Sequence, residues 1–318
     1  MEMERNTQAA GQKTADSAPP SADGSAYRLP ADTRVGAVRL HVADLERSLA
    51  FYRDIIGLEP RERAAGRTLL APPGAGETLV ELRERAGARP APRGGRPGLY
   101  HFAILLPDRV ALGHFLAHLG RMGARVGMAD HLVSEAIYLS DPDGLGIEVY
   151  ADRPRASWRR RGPEVAMATD PLNVRDLLQA AGEIAGTELA PGPAGAWRMP
   201  AGTRIGHLHL HVGDLAVAEA FYRAGLGLDV VVRSYPGALF LSAGGYHHHL
   251  GVNTWATRAD PAGEEDARLL EWELLLPRPE DVATVADRLI AAGHEVARDE
   301  DGFRVPDPWG TVLRVRVA

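Results

Sequence analysis

Cysteine is absent from the 318-residue chain. That excludes disulfides, thiolate metal sites and a cysteine nucleophile together. Lysine is almost absent too: Lys13 is the only one, so nearly all positive charge is arginine. The bias is compatible with base composition and carries no functional weight. There is no basic excess. The net charge is -6, which argues against a nucleic-acid binder, since such proteins present a basic face. No apolar run reaches the roughly 18 residues of a membrane-spanning helix. The opening stretch MEMERNTQAAGQKTADSAPPSADGS has no apolar core of the kind a secretory signal needs. These absences predict a soluble cytoplasmic protein with neither nucleic-acid nor membrane partners.

What remains has ordinary globular composition, 45% hydrophobic and 25% charged, with 35 glycines and 23 prolines. The length suggests roughly two domains. Residues 1–31 are rich in Ala, Ser, Pro and Gly and read as a disordered tail. From Arg34 the pattern becomes strand, helix and short strands. VGAVRLHV alternates as a strand does, and DLERSLAFYRDIIGL carries an apolar helical stripe between Asp44 as N-cap and Gly57 as stop.

This unit repeats. AVRLHVADLERSLAFYRDIIGL from Ala37 returns as HLHLHVGDLAVAEAFYRAGLGL from His207, an offset of 170 residues. HFAILLPDRVALGHFLAHLGRMG from His101 has the same form and returns 170 residues later from Glu271. Each half closes on a turn and a strand, DPDG before LGIEVYADRP and DPWG before TVLRVRVA. Four strand–helix–three-strand modules therefore start at 37, 101, 207 and 271. The expected organisation is a tail over 1–31, a two-module domain over 32–152, a linker with one short helix over 153–200, and a second two-module domain over 201–318.

Four βαβββ modules with histidines at strand starts and a glutamate in a last strand resemble the vicinal oxygen chelate superfamily. That group contains glyoxalase I, bleomycin-resistance proteins and extradiol ring-cleaving dioxygenases. GLYHFAILLPD, SEAIYLSDPDGLGIEVYADRP and ALFLSAGGYHHHLGVNTW look like the catechol 2,3-dioxygenase branch. The resemblance implies an α+β fold in which paired modules form two cup-shaped mixed β-sheets, with helices outside. Ligand slots in this fold lie on the first and last strands of each module. They fall on Ala37 and Glu81, His101 and Glu148, His207 and Leu250, and Glu271 and Arg314.

The resemblance further implies a metal site of two histidines and one glutamate, which leaves positions open for substrate and dioxygen. His101, His207 and Glu148 supply that set if modules two and three share a cup. Modules one and four would then form a vestigial cup without histidine. Sequential pairing would instead gather Glu81, His101 and Glu148. Extradiol relatives commonly take all three ligands from the last two modules, and Glu271 and Arg314 depart from that arrangement. The same resemblance places an acid–base histidine two residues before the module-three slot, at His248, and a tyrosine ten before the glutamate, at Tyr138. His131 is the counterpart of a further histidine.

The implied activity is Fe(II)-dependent extradiol cleavage of catechol or a substituted catechol by O2, giving a 2-hydroxymuconic semialdehyde-type product. Mn(II) would suit the same ligands. A glyoxalase-type isomerase or lyase and a non-catalytic small-molecule binder are the alternatives, and a homo-oligomer is compatible with each. Other histidines have plainer readings. His209 and His211 share the strand face of His207 and line the cup. His114 and His118, four apart on a helix, read as one solvated face. Loops around Met128, Trp255 and Tyr246 are candidates for shaping the cup.

Overall fold

A computed structural model describes residues 27–185, 188–189, 197–256 and 259–318. Most of the expected tail, residues 1–26, lies outside them. Module one comprises β1 (Arg34–Val42), α1 (Leu45–Phe51), β2 (Glu59–Ala64), β3 (Arg67–Ala71) and β4 (Val80–Glu84). Module two has β5 (Gly98–Leu105), α2 (Arg109–Arg121), β6 (Gly127–Asp130), β7 (Ser134–Ser140) and β8 (Gly146–Asp152). The connection carries a hairpin of β9 (Arg160–Arg161) and β10 (Glu164–Val165), the short helix α3 (Val174–Ala180), and a pairing of β11 (Ile184–Ala185) with β12 (Glu188–Leu189). Module three has β13 (Arg204–His211), α4 (Leu215–Glu219), β14 (Asp229–Val232), β15 (Ala238–Ser242) and β16 (Leu250–Asn253). Module four has β17 (Arg268–Leu276), α5 (Pro279–Ala291), β18 (Ala297–Arg298), β19 (Gly302–Pro306) and β20 (Val312–Val317).

Local sequence accounts for the repeated helix starts. Asp44, Asp108 and Asp214 each turn a carboxylate onto free backbone N–H groups, of Arg47, Ala111, and Ala216 with Val217. Gly57 ends the first helical segment at φ 91°, a left-handed conformation that glycine adopts without steric cost. Tyr52 and Tyr222, the repeated tyrosines of Phe-Tyr-Arg, are fully buried and donate to Asp141 (3.3 Å) and Asp307 (2.8 Å) in the DPDG and DPWG turns. A motif of one module is thus bonded to the turn of the next.

The chain forms two eight-stranded sheets. Their strand orders are β18-β19-β20-β17-β1-β4-β3-β2 and β14-β15-β16-β13-β5-β8-β7-β6. Within each module the first strand lies parallel to the last, and partner modules join antiparallel through first strands, β1 with β17 and β5 with β13. Module two therefore pairs with three, and module one with four, so each sheet draws one module from each half of the sequence. One continuous apolar core includes residues from all four modules. Among the described residues no helix is long and apolar enough to cross a membrane.

One expectation needs adjusting. His118 is not on a solvated face: α2 packs against the end of module one's helix, where buried His118 donates to the Asp54 carbonyl at 3.1 Å and stacks on Trp197. His114 instead pairs with Glu183 at 2.5 Å.

Asp141 yields a pH prediction. Its Oδ1 accepts the N–H groups of Asp143 and Leu145, both at 2.9 Å, yet burial pushes its carboxyl up to about 7. The folded state holds this proton more tightly than the unfolded chain, whose aspartate titrates near 3.9. Its contribution to stability is full below about pH 4 and is lost as pH rises through about 7. Denaturant unfolding should show Asp141→Asn losing less stability between pH 5 and 8 than the parent, by about 1–3 kcal/mol. Parallel profiles would remove this role.

Candidate metal centre

Strand register builds the site. In the sheet of modules two and three, Ala103 of β5 is paired with His207 of β13 on one side and Glu148 of β8 on the other. Laterally paired residues point to the same face, so His207, Ala103 and Glu148 form a row. His101 stands two residues before Ala103 on the same face. Phe102, Ile104, Leu208 and Leu210 alternate with them and enter the apolar core on the other face.

The row converges. His101 Nε2 lies 3.0 Å and His207 Nε2 3.2 Å from the same oxygen, Glu148 Oε2. One donor atom from each residue lies within 4.8 Å of the other two, and all three side chains are buried. Buried His101 Nε2 has no hydrogen-bond partner, although it faces that carboxylate. An orphaned buried nitrogen is costly, and a cation between the three groups would satisfy it. Burial alone would raise the Glu148 carboxyl, but His207 and His101 hold it well below the usual carboxylate range. Burial brings His207 down to about 4. Glu148 is thus held as a carboxylate and His207 as unprotonated imidazole, the forms that metal ligation requires.

Ala103 was not singled out from sequence, and only the register reveals it. Its methyl group lies between the ligand-bearing strands, where a larger side chain would enter the space of a bound ion. Ala103→Leu should lower divalent-metal affinity at least about tenfold, a loss of the size seen when a ligand's supporting residues change. Titration of the folded variant checks this, and unchanged affinity would remove the steric role.

His101, Glu148 and His207 form the floor of a cavity of about 350 Å³ that Met128, Met167, Tyr235, Phe240 and Trp255 also line. Tyr138, His131 and His248 border it too. Met128 and Trp255 are thus where the loops were expected to shape the cup. Tyr246 is not at this cavity; its hydroxyl lies 2.8 Å from that of Tyr150 and 3.0 Å from Asp152. The connection between the halves supplies a wall, because Asp170 pairs with Asp130 of β6 and carries Met167, Ala168 and Thr169 to the cavity.

Hydrogen bonds set proton positions around the cavity. His131 Nδ1 lies 2.6 Å from the Ala168 carbonyl, which only accepts, so that nitrogen carries the proton. His131 Nε2 is then an acceptor for the Tyr138 hydroxyl at 2.5 Å in the neutral ring. Burial, and next Glu148, push the Tyr138 phenol well above its ordinary value, which keeps it neutral. His248 has a similar chain. His247 Nε2 donates to Asp152 Oδ1 at 2.9 Å, and His247 Nδ1 meets His248 Nδ1 at 2.7 Å. Asp152 and His247 were not recognised as partners in the sequence, because neither position is marked by the repeat. Asn253 orients two more imidazoles: its amide nitrogen donates to His209 (2.9 Å), and its oxygen accepts from His211 (2.6 Å).

Among the described residues the other sheet presents no such set. Glu81 is held by Arg39, Arg67 and Arg83, while Glu271 is held by Arg39 (2.5 Å) and Arg304 (2.6 Å). Arg314 pairs with Glu273 rather than Glu271. Guanidinium groups occupy the carboxylates that a cation would need.

Comparison with known proteins agrees with this architecture. The family model described as Glyoxalase/Bleomycin resistance protein/Dioxygenase superfamily matches residues 34–149 and 204–311. The chain belongs to that superfamily. It is 45% identical over 281 residues to a Bacillus subtilis (strain 168) protein named Catechol-2,3-dioxygenase, covering 87% of this chain and 94% of the relative. The resemblance read from the motifs therefore holds. Solved structures share the fold. A putative dioxygenase from Bacillus subtilis subsp. subtilis str. 168 aligns with a TM-score of 0.59 at 12% identity, over 91% of this chain and 86% of that one. Glyoxalase I from Zea mays aligns at 0.51 and 15% identity, over 90% and 92%.

Proposed function

We propose that this superfamily member is an extradiol dioxygenase that cleaves catechol or a substituted catechol with O2 to a 2-hydroxymuconic semialdehyde-type product. His101, His207 and Glu148 would hold Fe(II), with Mn(II) suited to the same donors. The observation that carries the reading is their convergence within 4.8 Å on the floor of a cavity. The 45% identical relative named Catechol-2,3-dioxygenase supports the substrate class. The expected slot residue Leu250 instead pairs with Leu208 in the apolar core, one residue out of register, and the cup-facing position beside His209 is Gly251, which has no side-chain donor; that disfavours a four-ligand isomerase site. When bound, the metal would act as a Lewis acid that makes a catechol hydroxyl easier to deprotonate.

The chain's own residues supply the proton chemistry. Asp152 accepts from His247 Nε2, so the Nδ1 of the neutral His247 ring accepts from His248 Nδ1. That leaves His248 Nε2 with a free lone pair, on a ring that lines the cavity. His248 is thereby set as a base for a substrate hydroxyl, and the proton it gains is available for return later in turnover. Tyr138, whose proton is committed to His131, presents its oxygen to accept from substrate. The apolar wall of Met128, Met167 and Phe240 excludes water.

Anaerobic purification with Fe(II), followed by catechol and air, tests the reading. Oxygen uptake with a yellow ring-cleavage product is expected, and no uptake across a panel of catechols would sink it. His247→Phe removes the acceptor that orients His248 together with the donor to Asp152, which keeps its bond from the Tyr246 hydroxyl. It should lower kcat about tenfold, less than the roughly 10²–10⁴-fold that loss of the acid–base group itself costs, with KM and metal content unchanged. An equal rise in KM would mean that His247 shapes the cavity instead.

A further inference from the structure

A second cavity, of about 780 Å³, adjoins the metal centre and shares Tyr100, His101, Tyr138 and Trp255 with the first. Its lining includes Arg93, Arg96 and Arg125 and no carboxylate. Arg96 is neutralised by buried Asp266 at 2.6 Å. Arg93 and Arg125 have no ion pair or hydrogen bond among the described residues. Two guanidinium groups without an acidic partner among the described residues thus stand beside a small-molecule site in a chain of net charge -6.

The segment bearing Arg93 is held in place. Ala91 N–H donates to the Asp143 carbonyl at 2.8 Å, and Arg96 ties the far end to Asp266. Between them Gly95 adopts φ 71° directly against His211, where an added Cβ would lie 2.7 Å from Nε2. Arg125 approaches from the segment between α2 and β6. Both side chains are exposed at the cavity rim, and a guanidinium group there is suited to a carboxylate, which it meets with two parallel hydrogen bonds.

We propose that this second cavity is a substrate subsite for a carboxylate carried on the side chain of a catechol, bound by Arg93 and Arg125. The proposal rests on the dioxygenase reading and narrows its substrate class: the ring lies over His101, His207 and Glu148, and the substituent passes Tyr100 and Trp255 into the arginine-lined space. The volume of the two cavities together exceeds what an unsubstituted catechol fills.

The test measures affinity on Fe(II)-loaded protein without oxygen, so turnover is not needed. Calorimetric titration compares matched pairs: 4-methylcatechol with 3,4-dihydroxybenzoate, 4-ethylcatechol with 3,4-dihydroxyphenylacetate, and 4-propylcatechol with 3-(3,4-dihydroxyphenyl)propanoate. At least one carboxylate should bind about tenfold more tightly than its alkyl partner. In the double variant Arg93→Gln, Arg125→Gln that ratio should fall below about threefold, and high salt should also reduce it. Equal affinities within every pair, or a preference that survives the double variant, would overturn the subsite. If the neutral catechols bind and only the preference is missing, the dioxygenase reading stands and the subsite falls. If no catechol binds, both fall.

Discussion

Glu148→Gln should lower divalent-metal affinity at least about 100-fold, beyond the 10–100-fold typical of losing a ligand's outer partner. Among the described residues Glu148 is the only carboxylate lining the cavity, and its Oε2 is the atom on which both imidazoles converge. Glutamine keeps the volume and one oxygen but removes the carboxylate's negative charge from the donor set. The surrounding wall is largely apolar and cannot replace that charge. Metal content after dialysis, and competition against a chelator, measure the effect. An unchanged thermal unfolding profile would show that the variant is folded. Wild-type affinity in a folded Gln variant would remove Glu148 from the ligand set.

His248→Ala should leave metal affinity within about threefold while lowering turnover about 10²–10⁴-fold, the range for loss of a positioned acid–base group. The ring of His248 is buried, with its centroid 4.0 Å from that of His207, yet its Nδ1 is directed to His247 rather than to Glu148. Burial pushes this imidazole well below its ordinary value, so it is uncharged and has a lone pair free to take a proton. The alanine variant loses that acceptor and keeps all three metal-facing donors. Metal analysis and oxygen uptake on one preparation separate the two effects. Turnover within twofold of wild type would remove the base role, and loss of metal would make His248 part of the ligand framework.

These contrasts show why some of the site was legible in sequence and some was not. His101 and His207 stand at the start of repeated strands, and Glu148 stands in a last strand, so the module period marks all three. Tyr138 and His131 were reached through the resemblance, and their 2.5 Å contact is a matter of side-chain placement. Ala103 has no chemical signature; it matters because two neighbouring strands pair with it. Asp152 and His247 are 95 residues apart, and nothing local joins them until module two meets module three. The stretch 166–170 reads as linker, yet it lies along β6 and walls the cavity. The helical pair His114 and His118 misled for the opposite reason: spacing describes one helix, while burial depends on what packs against it.

Repetition by itself determined the module plan, the capping aspartates and which faces of the first strands carry histidines, because these follow from periodicity within one element. Which modules share a sheet is a different matter. Several pairings satisfy the same local pattern, and only the antiparallel joining of β5 to β13 selects one. Tertiary structure also decided that one cup assembles imidazole and carboxylate while the other neutralises its carboxylates with arginine. Charges far apart in sequence act on each other only when folding brings them within a few ångströms.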